Sequence, residues 1–165
     1  MPRVLFRFDS AASVEGWSAI DDRVMGGVSL SRLRHDAAGH AVFEGQVSLE
    51  RNGGFASVRS LPQNLGLTGA VDCVVEVRGD GNRFKLNLRT DAAFDGVNYQ
   101  ASFAPDAGRW SVIRLPLSGF RASFRGRDVP GAPPLDAGRI QQLGFMIADR
   151  QAGVFALAVR SVGLE

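Results

Sequence analysis

Cysteine is nearly absent from this chain: Cys73 is the only one in 165 residues, so no internal disulfide framework can hold the fold. Cys73 lies in an apolar stretch and is expected to be a small buried hydrophobe. Lysine is almost as scarce, Lys85 alone among 19 basic residues. The basic residues form no run, acidic residues are interspersed among them, and the formal net charge is only +2. A clustered basic footprint is what a nucleic-acid binder would show, so nucleic acid is not an expected partner. No apolar run approaches the length of about 18 residues that a membrane span needs. The segment Met1–Asp9 alternates like a strand and carries no long apolar region with a small-residue cleavage site, so a cytoplasmic protein is expected. Tyrosine and tryptophan are rare too, one and two residues against eleven phenylalanines. That balance suits aromatics used for a core, whereas amphipathic binding platforms favour Tyr and Trp.

What the chain does have is glycine and alternation. Twenty glycines and seven prolines are spread along it, as expected of many turns between short strands. Period-2 patterns predict strands at Val4–Phe8, Ala41–Leu49, Gly54–Arg59, Asp72–Arg78, Arg83–Thr90, Val97–Phe103, Trp110–Pro116, Ile140–Ala148 and Val154–Val162. Helical patterns are weak, single turns at Ala11–Glu15 and Leu135–Gln142. Phe120–Leu135, with three prolines, reads as a long ordered loop. Asp80-Gly81 between two alternating runs predicts a hairpin. The expectation is one all-β sandwich domain spanning residues 1–165, with mainly antiparallel strands.

The most distinctive text lies in two glycine pairs, Asp21-Asp22-Arg23-Val24-Met25-Gly26-Gly27-Val28-Ser29 and Asn52-Gly53-Gly54-Phe55-Ala56-Ser57-Val58-Arg59. Paired glycines permit positive φ and close approach of another surface. Asp21 and Asp22 are expected to cap their turn through backbone N–H groups, with ligand contact or metal binding as the lesser readings. Asn52-Gly53-Gly54 is expected to be a turn packed against the first glycine pair, or else a place where a ligand meets bare backbone. Met25 is either tucked beneath its loop or offered to a partner.

The order of these motifs resembles the complex I intermediate-associated protein 30 family, whose mitochondrial members help assemble NADH:ubiquinone oxidoreductase. The resemblance runs from Trp17 and the two glycine motifs through Phe43-Glu44-Gly45, Arg78-Gly79-Asp80-Gly81, Tyr99-Gln100, Trp110, Leu115-Pro116 and Phe124-Arg125-Gly126-Arg127. It ends on Gly144-Phe145 and Asp149-Arg150-Gln151-Ala152-Gly153-Val154-Phe155. It implies a galactose-binding-like jelly roll, no cofactor, no enzymatic activity, and subunits of a respiratory complex as partners. The compact form suggests a bacterial stand-alone domain.

A second function class comes from the polar strand faces. Arg59, Arg78, Lys85, Asn87, Arg89 and Gln100 fall on alternating segments. If their strands are neighbours, they line one sheet face that could hold a sugar or a small anionic ligand. The competing expectation is a solvated face with cross-strand pairs to Glu76, Asp72 or Asp91. Arg125 is expected to pair with Asp149 across loops. The candidate ligand- or partner-binding residues are therefore Asp22, Met25, Asn52, Arg59, Lys85, Arg89, Gln100 and Arg125. An enzyme would need Asp22 and Asp149 gathered in one cleft as acid and base, which no spacing compels. Gly79-Asp80-Gly81 lacks the third glycine and the following helix of a dinucleotide site. His35 and His40 are expected on an exposed loop, and Trp17 and Trp110 in the core.

Overall fold

Phe84, Leu86 and Leu88 alternate with Lys85, Asn87 and Arg89 along one strand, and the first set enters the core while the second forms an outer face. The computed structural model describes residues 2–22, 26–91 and 96–165; the candidate Met25 and the side chain of Asn52 lie outside the described set. The same alternation, repeated, builds two antiparallel sheets. One runs in the order β3 (Leu30–Asp36), β4 (His40–Val47), β13 (Gly153–Leu164), β6 (Asp72–Arg78), β9 (Trp110–Pro116), with β1 (Arg3–Arg7) pairing the far end of β13. The other runs β11 (Arg127–Asp128), β10 (Arg121–Phe124), β8 (Asn98–Phe103), β7 (Phe84–Arg89), β12 (Gln142–Ile147), β5 (Ala56–Arg59), β2 (Ser18–Ala19).

Phenylalanines join the sheets. Phe43 of β4 lies 4.9 Å from Phe155 of β13 and 6.3 Å from Phe84 of β7, ring centre to ring centre. Phe145 of β12 stacks on Trp17 at 5.7 Å. Each fully buried Phe removes enough apolar surface from water to contribute about 1.5–3 kcal/mol.

All nine predicted strands are present, with ends shifted by a few residues. Several other expectations are corrected. Asp80-Gly81 does not close a hairpin: β6 and β7 belong to different sheets, and this turn carries the chain across the sandwich. Asp80 fixes that corner by accepting from the Asn82 N–H at 3.0 Å and the Ala156 N–H at 2.7 Å. The supposed loop Phe120–Leu135 contains β10 and β11, and its prolines come only after them. The expected helical turns are short 3-10 pieces, Ala11–Val14 and Ala137–Arg139. Strand β3 was not legible because its two leucines, Leu30 and Leu33, are three residues apart and break the alternation. His35 and His40 are strand residues of the β3–β4 hairpin, and His40 is buried. Trp17 packs against core residues as expected. Trp110 does not: it sits on the outer face of the first sheet, with the Arg160 guanidinium 3.9 Å and that of Arg78 5.1 Å from its ring centre.

Candidate functional site

The two glycine motifs meet at Asp22. Its side chain is completely buried, and its carboxylate accepts from the Ser29 N–H at 2.9 Å, the Ser29 hydroxyl at 2.5 Å, the Gly54 N–H at 2.7 Å and the Phe55 N–H at 3.4 Å. Asp21 accepts from the Ser31 N–H at 3.0 Å, the Ser31 hydroxyl at 2.6 Å and the Ser57 N–H at 3.0 Å. Two consecutive carboxylates thus tie β3, in the first sheet, to β5, in the second. Burial works against the Asp22 anion, but its hydrogen bonds outweigh it and hold the pKa below the ordinary carboxylate value. At Asp21 burial wins over the bonds from Ser31 and Ser57, and the neighbouring Asp22 adds to it, so that pKa is raised. The Asp22 carboxylate faces donors on all sides, an arrangement that closes a structure.

The second sheet's outer face is polar and largely buried: Ser57, Asn87, Arg89 and Gln142 on it are each less than a tenth exposed. Register places Arg59 opposite Gly144, Gly144 opposite Asn87, Asn87 opposite Gln100 and Gln100 opposite Arg121. A parallel row holds Gln142, Arg89 and, two residues before Gln100, Asn98, whose Oδ1 accepts from the Arg89 guanidinium at 3.3 Å. The row on the other side holds Ser57, Met146, Lys85 and Ser102. Lys85 reaches Asp149 at 3.5 Å, and Arg83 approaches the same carboxylate at 4.0 Å. Burial lowers the Arg59 pKa, and the nearby positive charge of Arg89 lowers it further. Four of the eight candidate residues, Arg59, Lys85, Arg89 and Gln100, therefore share one face. Arg78 does not join them, because β6 lies in the other sheet. Arg125 lies in the exposed turn between β10 and β11 at φ 51, its guanidinium 5.2 Å from the Phe124 ring centre.

The sequence matches the model of the family described as complex I intermediate-associated protein 30 across residues 6–159. The chain belongs to that family. Relatives named complex I intermediate-associated protein 30, mitochondrial, are found in Drosophila melanogaster and Mus musculus. The fly protein is 29% identical over 98% of this chain and 62% of its own length. The mouse protein is 26% identical over 98% of this chain and 56% of its own length. The chain thus spans roughly three fifths of these relatives. Their mitochondrial names overturn the cytoplasmic expectation, and their eukaryotic sources give the bacterial expectation no support. In shape the chain is similar to a family 11 carbohydrate-binding module from Clostridium thermocellum, solved with a β-1,3-1,4-mixed-linked tetrasaccharide. That likeness has a TM-score of 0.72 at 18% identity, over 99% of this chain and 94% of the module, and it shows the jelly-roll sandwich fold.

In this family member the sequence put Asn87 on the polar strand face without naming it among the candidate site residues, and it missed Arg121 altogether. Asn87 was legible as an outward strand residue, but its depth was not, since burial of a sheet face depends on which strands flank it. Arg121 was hidden in the presumed loop. The hollow on the other sheet, 450 Å³ over Gly45 and flanked by Leu30, Arg32, Glu44 and Val154, has its acid already engaged: Arg32 and Arg34 hold Glu44 at 2.7 and 3.0 Å. Among the described residues no three His, Cys, Asp or Glu side chains converge as metal ligands. No helix among them is long and apolar enough to cross a membrane.

Proposed function

We propose that this domain is a non-catalytic interaction module serving assembly of a multi-subunit respiratory complex, with the outer face of its second sheet as the contact surface. The observation that carries the reading is the family match over residues 6–159, together with relatives named for association with complex I intermediates. Arg59, Lys85 and Gln100 would supply the polar contacts, Arg89 being buried among them, and exposed Arg125 would add a cation at the end of the same sheet. Arginine suits such a surface because its planar fork pairs carboxylates in two parallel hydrogen bonds. The acids support a structural task for the remaining motifs: buried Asp22 is held by several donors, and exposed Asp149 is engaged by Lys85. On native gels of host respiratory membranes the chain should comigrate with partial assemblies of the complex. Migration only as a 17.7 kDa protein would contradict the reading.

A second reading, a sugar or small anionic ligand on the same face, is favoured by one specific observation. Asn87 is buried there with no partner for its side-chain oxygen among the described residues, and the structurally similar family 11 module was solved with an oligosaccharide.

A further inference from the structure

An unbroken run of pairs, Asp72↔Pro116 to Arg78↔Trp110, joins β6 to β9 with no shift of register. β9 ends its sheet and has no strand on its far side. Leu117 donates its N–H to the Val71 carbonyl at 2.9 Å, which continues the same ladder and fixes its phase. Hydrogen-bonded pairs alternate along an antiparallel ladder, so Ser111, Ile113 and Leu115 turn their backbone groups towards β6. Trp110, Val112 and Arg114 therefore turn their N–H and C=O groups outward, where they meet no backbone partner among the described residues. Val112, in the middle of that row, is 61% exposed.

The other sheet margins are blunted, as edge strands commonly are. β11 and β2, at the two ends of the second sheet, are only two residues long. β3, at the opposite end of the first sheet, spends the Ser31 N–H on Asp21. β1 carries a shift of register between Val4 and Phe6. β9 has none of these devices: it holds no lysine and no bulge, and its proline, Pro116, comes only at the last position. The one charge on its outer row, Arg114, is matched by Glu165.

We propose that β9 pairs with β9 of a second copy of this chain, antiparallel about a two-fold axis through Val112. The strand is self-complementary in that register, as a two-fold contact requires. Val112 faces its own counterpart on the axis, and on either side Trp110 faces the counterpart of Arg114. These are three hydrogen-bonded pairs, each exchanging two backbone bonds, so every outward N–H and C=O of the row is satisfied. Arginine beside an indole is a favourable cross-strand neighbour, and the two valines shield each other from water. Moving the axis to Arg114 would set like charges opposite each other and spend a pairing on Pro116, which has no N–H. Moving it to Trp110 would pair only half of the strand. The face carrying Arg59 and Gln100 lies on the other sheet, so this pairing and the assembly role stand or fall separately.

Sedimentation equilibrium of the full chain, over a concentration series reaching about 1 mM, tests the pairing. A contact confined to one strand lies at the small end of specific interfaces, so the mass should climb with concentration from 17.7 kDa towards twice that value. Val112→Lys sets like charges on the axis and should raise the Kd about tenfold or more, with the unfolding temperature in dilute solution unchanged. Val112→Pro removes the central N–H from an edge position and should act the same way; if it does not fold, the lysine variant carries the test. Val112→Cys brings two thiols together on Cα atoms about 5.5 Å apart, within disulfide reach, so mild oxidation should trap a covalent dimer. Val154→Cys, at an 81% exposed position on β13, should crosslink far more slowly. A mass that stays at 17.7 kDa throughout would overturn the proposal. A dimer that survives Val112→Lys would put the contact elsewhere and overturn it too. A dimer that Val112→Lys dissolves but Val112→Cys fails to trap would overturn the register about Val112.

Discussion

Gly27 lies against Asp22 with no room for a side chain: a Cβ there would stand 2.5 Å from the carboxylate carbon and from one of its oxygens. Gly53, from the second motif, is equally confined, its Cβ position 2.5 Å from the other Asp22 oxygen. One glycine of each pair, Gly27 and Gly53, is thus explained by the buried acid. Gly27→Ala should destabilise the fold by about 1–3 kcal/mol through overpacking. Gly26 has φ 88 and none of the described residues within 4 Å of its Cβ position, so Gly26→Ala should cost mainly backbone strain, about 1 kcal/mol. Urea unfolding of the two variants checks the order; a larger loss for Gly26→Ala would contradict the packing account.

Asp21 and Asp22 should respond to pH in opposite directions. The Asp22 pKa is lowered on folding, so its contribution is present above the unfolded value of 3.8 and is lost as pH falls through the lower folded value. The Asp21 pKa is raised, so its contribution is complete below 3.8 and is lost as pH rises through the higher folded value. Asp22→Asn, which sets an amide donor against backbone N–H groups, should cost about 3 kcal/mol at neutral pH. Its deficit relative to wild type should shrink in acid, whereas the deficit of Asp21→Asn should grow. Denaturant titrations across roughly pH 3 to 7, where carboxylates titrate, read both slopes, and slopes of the same sign would refute the assignment.

His40 adds a separate acid sensitivity. It is buried beside Trp110, 5.2 Å between ring centres, and its Nε2 has no partner among the described residues. Burial lowers its pKa from 6.5; Arg78, Arg160 and Arg34 push the same way and Asp36 opposes them. The unfolded chain therefore takes up the proton first, and stability falls as pH drops below 6.5 towards the folded value. His40→Phe should flatten this part of the stability profile. An unchanged profile in that variant would show that His40 does not titrate differently on folding.

Cys73 should be inert in the native protein. It is completely buried, and burial, with a smaller push from Asp72, raises its thiol pKa to about 12. The thiolate is the reactive form, so a thiol reagent should label Cys73 only at the rate of unfolding. Fast labelling under native conditions would contradict its placement in the core.

Alternation told which residues of a strand share a face, and for β7 that was enough: Lys85, Asn87 and Arg89 point together as read. It did not tell which sheet a strand joins. Arg78 was grouped with them and lies on the opposite sheet, because the Asp80-Gly81 turn crosses the sandwich. The knot at Asp22 was legible only as a turn cap. Its donors, Ser29, Gly54 and Phe55, come from two separate segments, and nothing local announces that they converge. β3 was invisible because its leucines break the alternation, although a full antiparallel ladder, Leu30↔Gln46 to Asp36↔His40, joins it to β4.

The most direct test of the central claim is affinity capture of the full chain from its native host, read by mass spectrometry, with wild type beside Arg59→Ala and Gln100→Ala. The account predicts that wild type recovers subunits of respiratory complex I and that both variants, folded to the same unfolding temperature, recover far less. Equal recovery by all three, or capture of no complex I subunit by wild type, would contradict it.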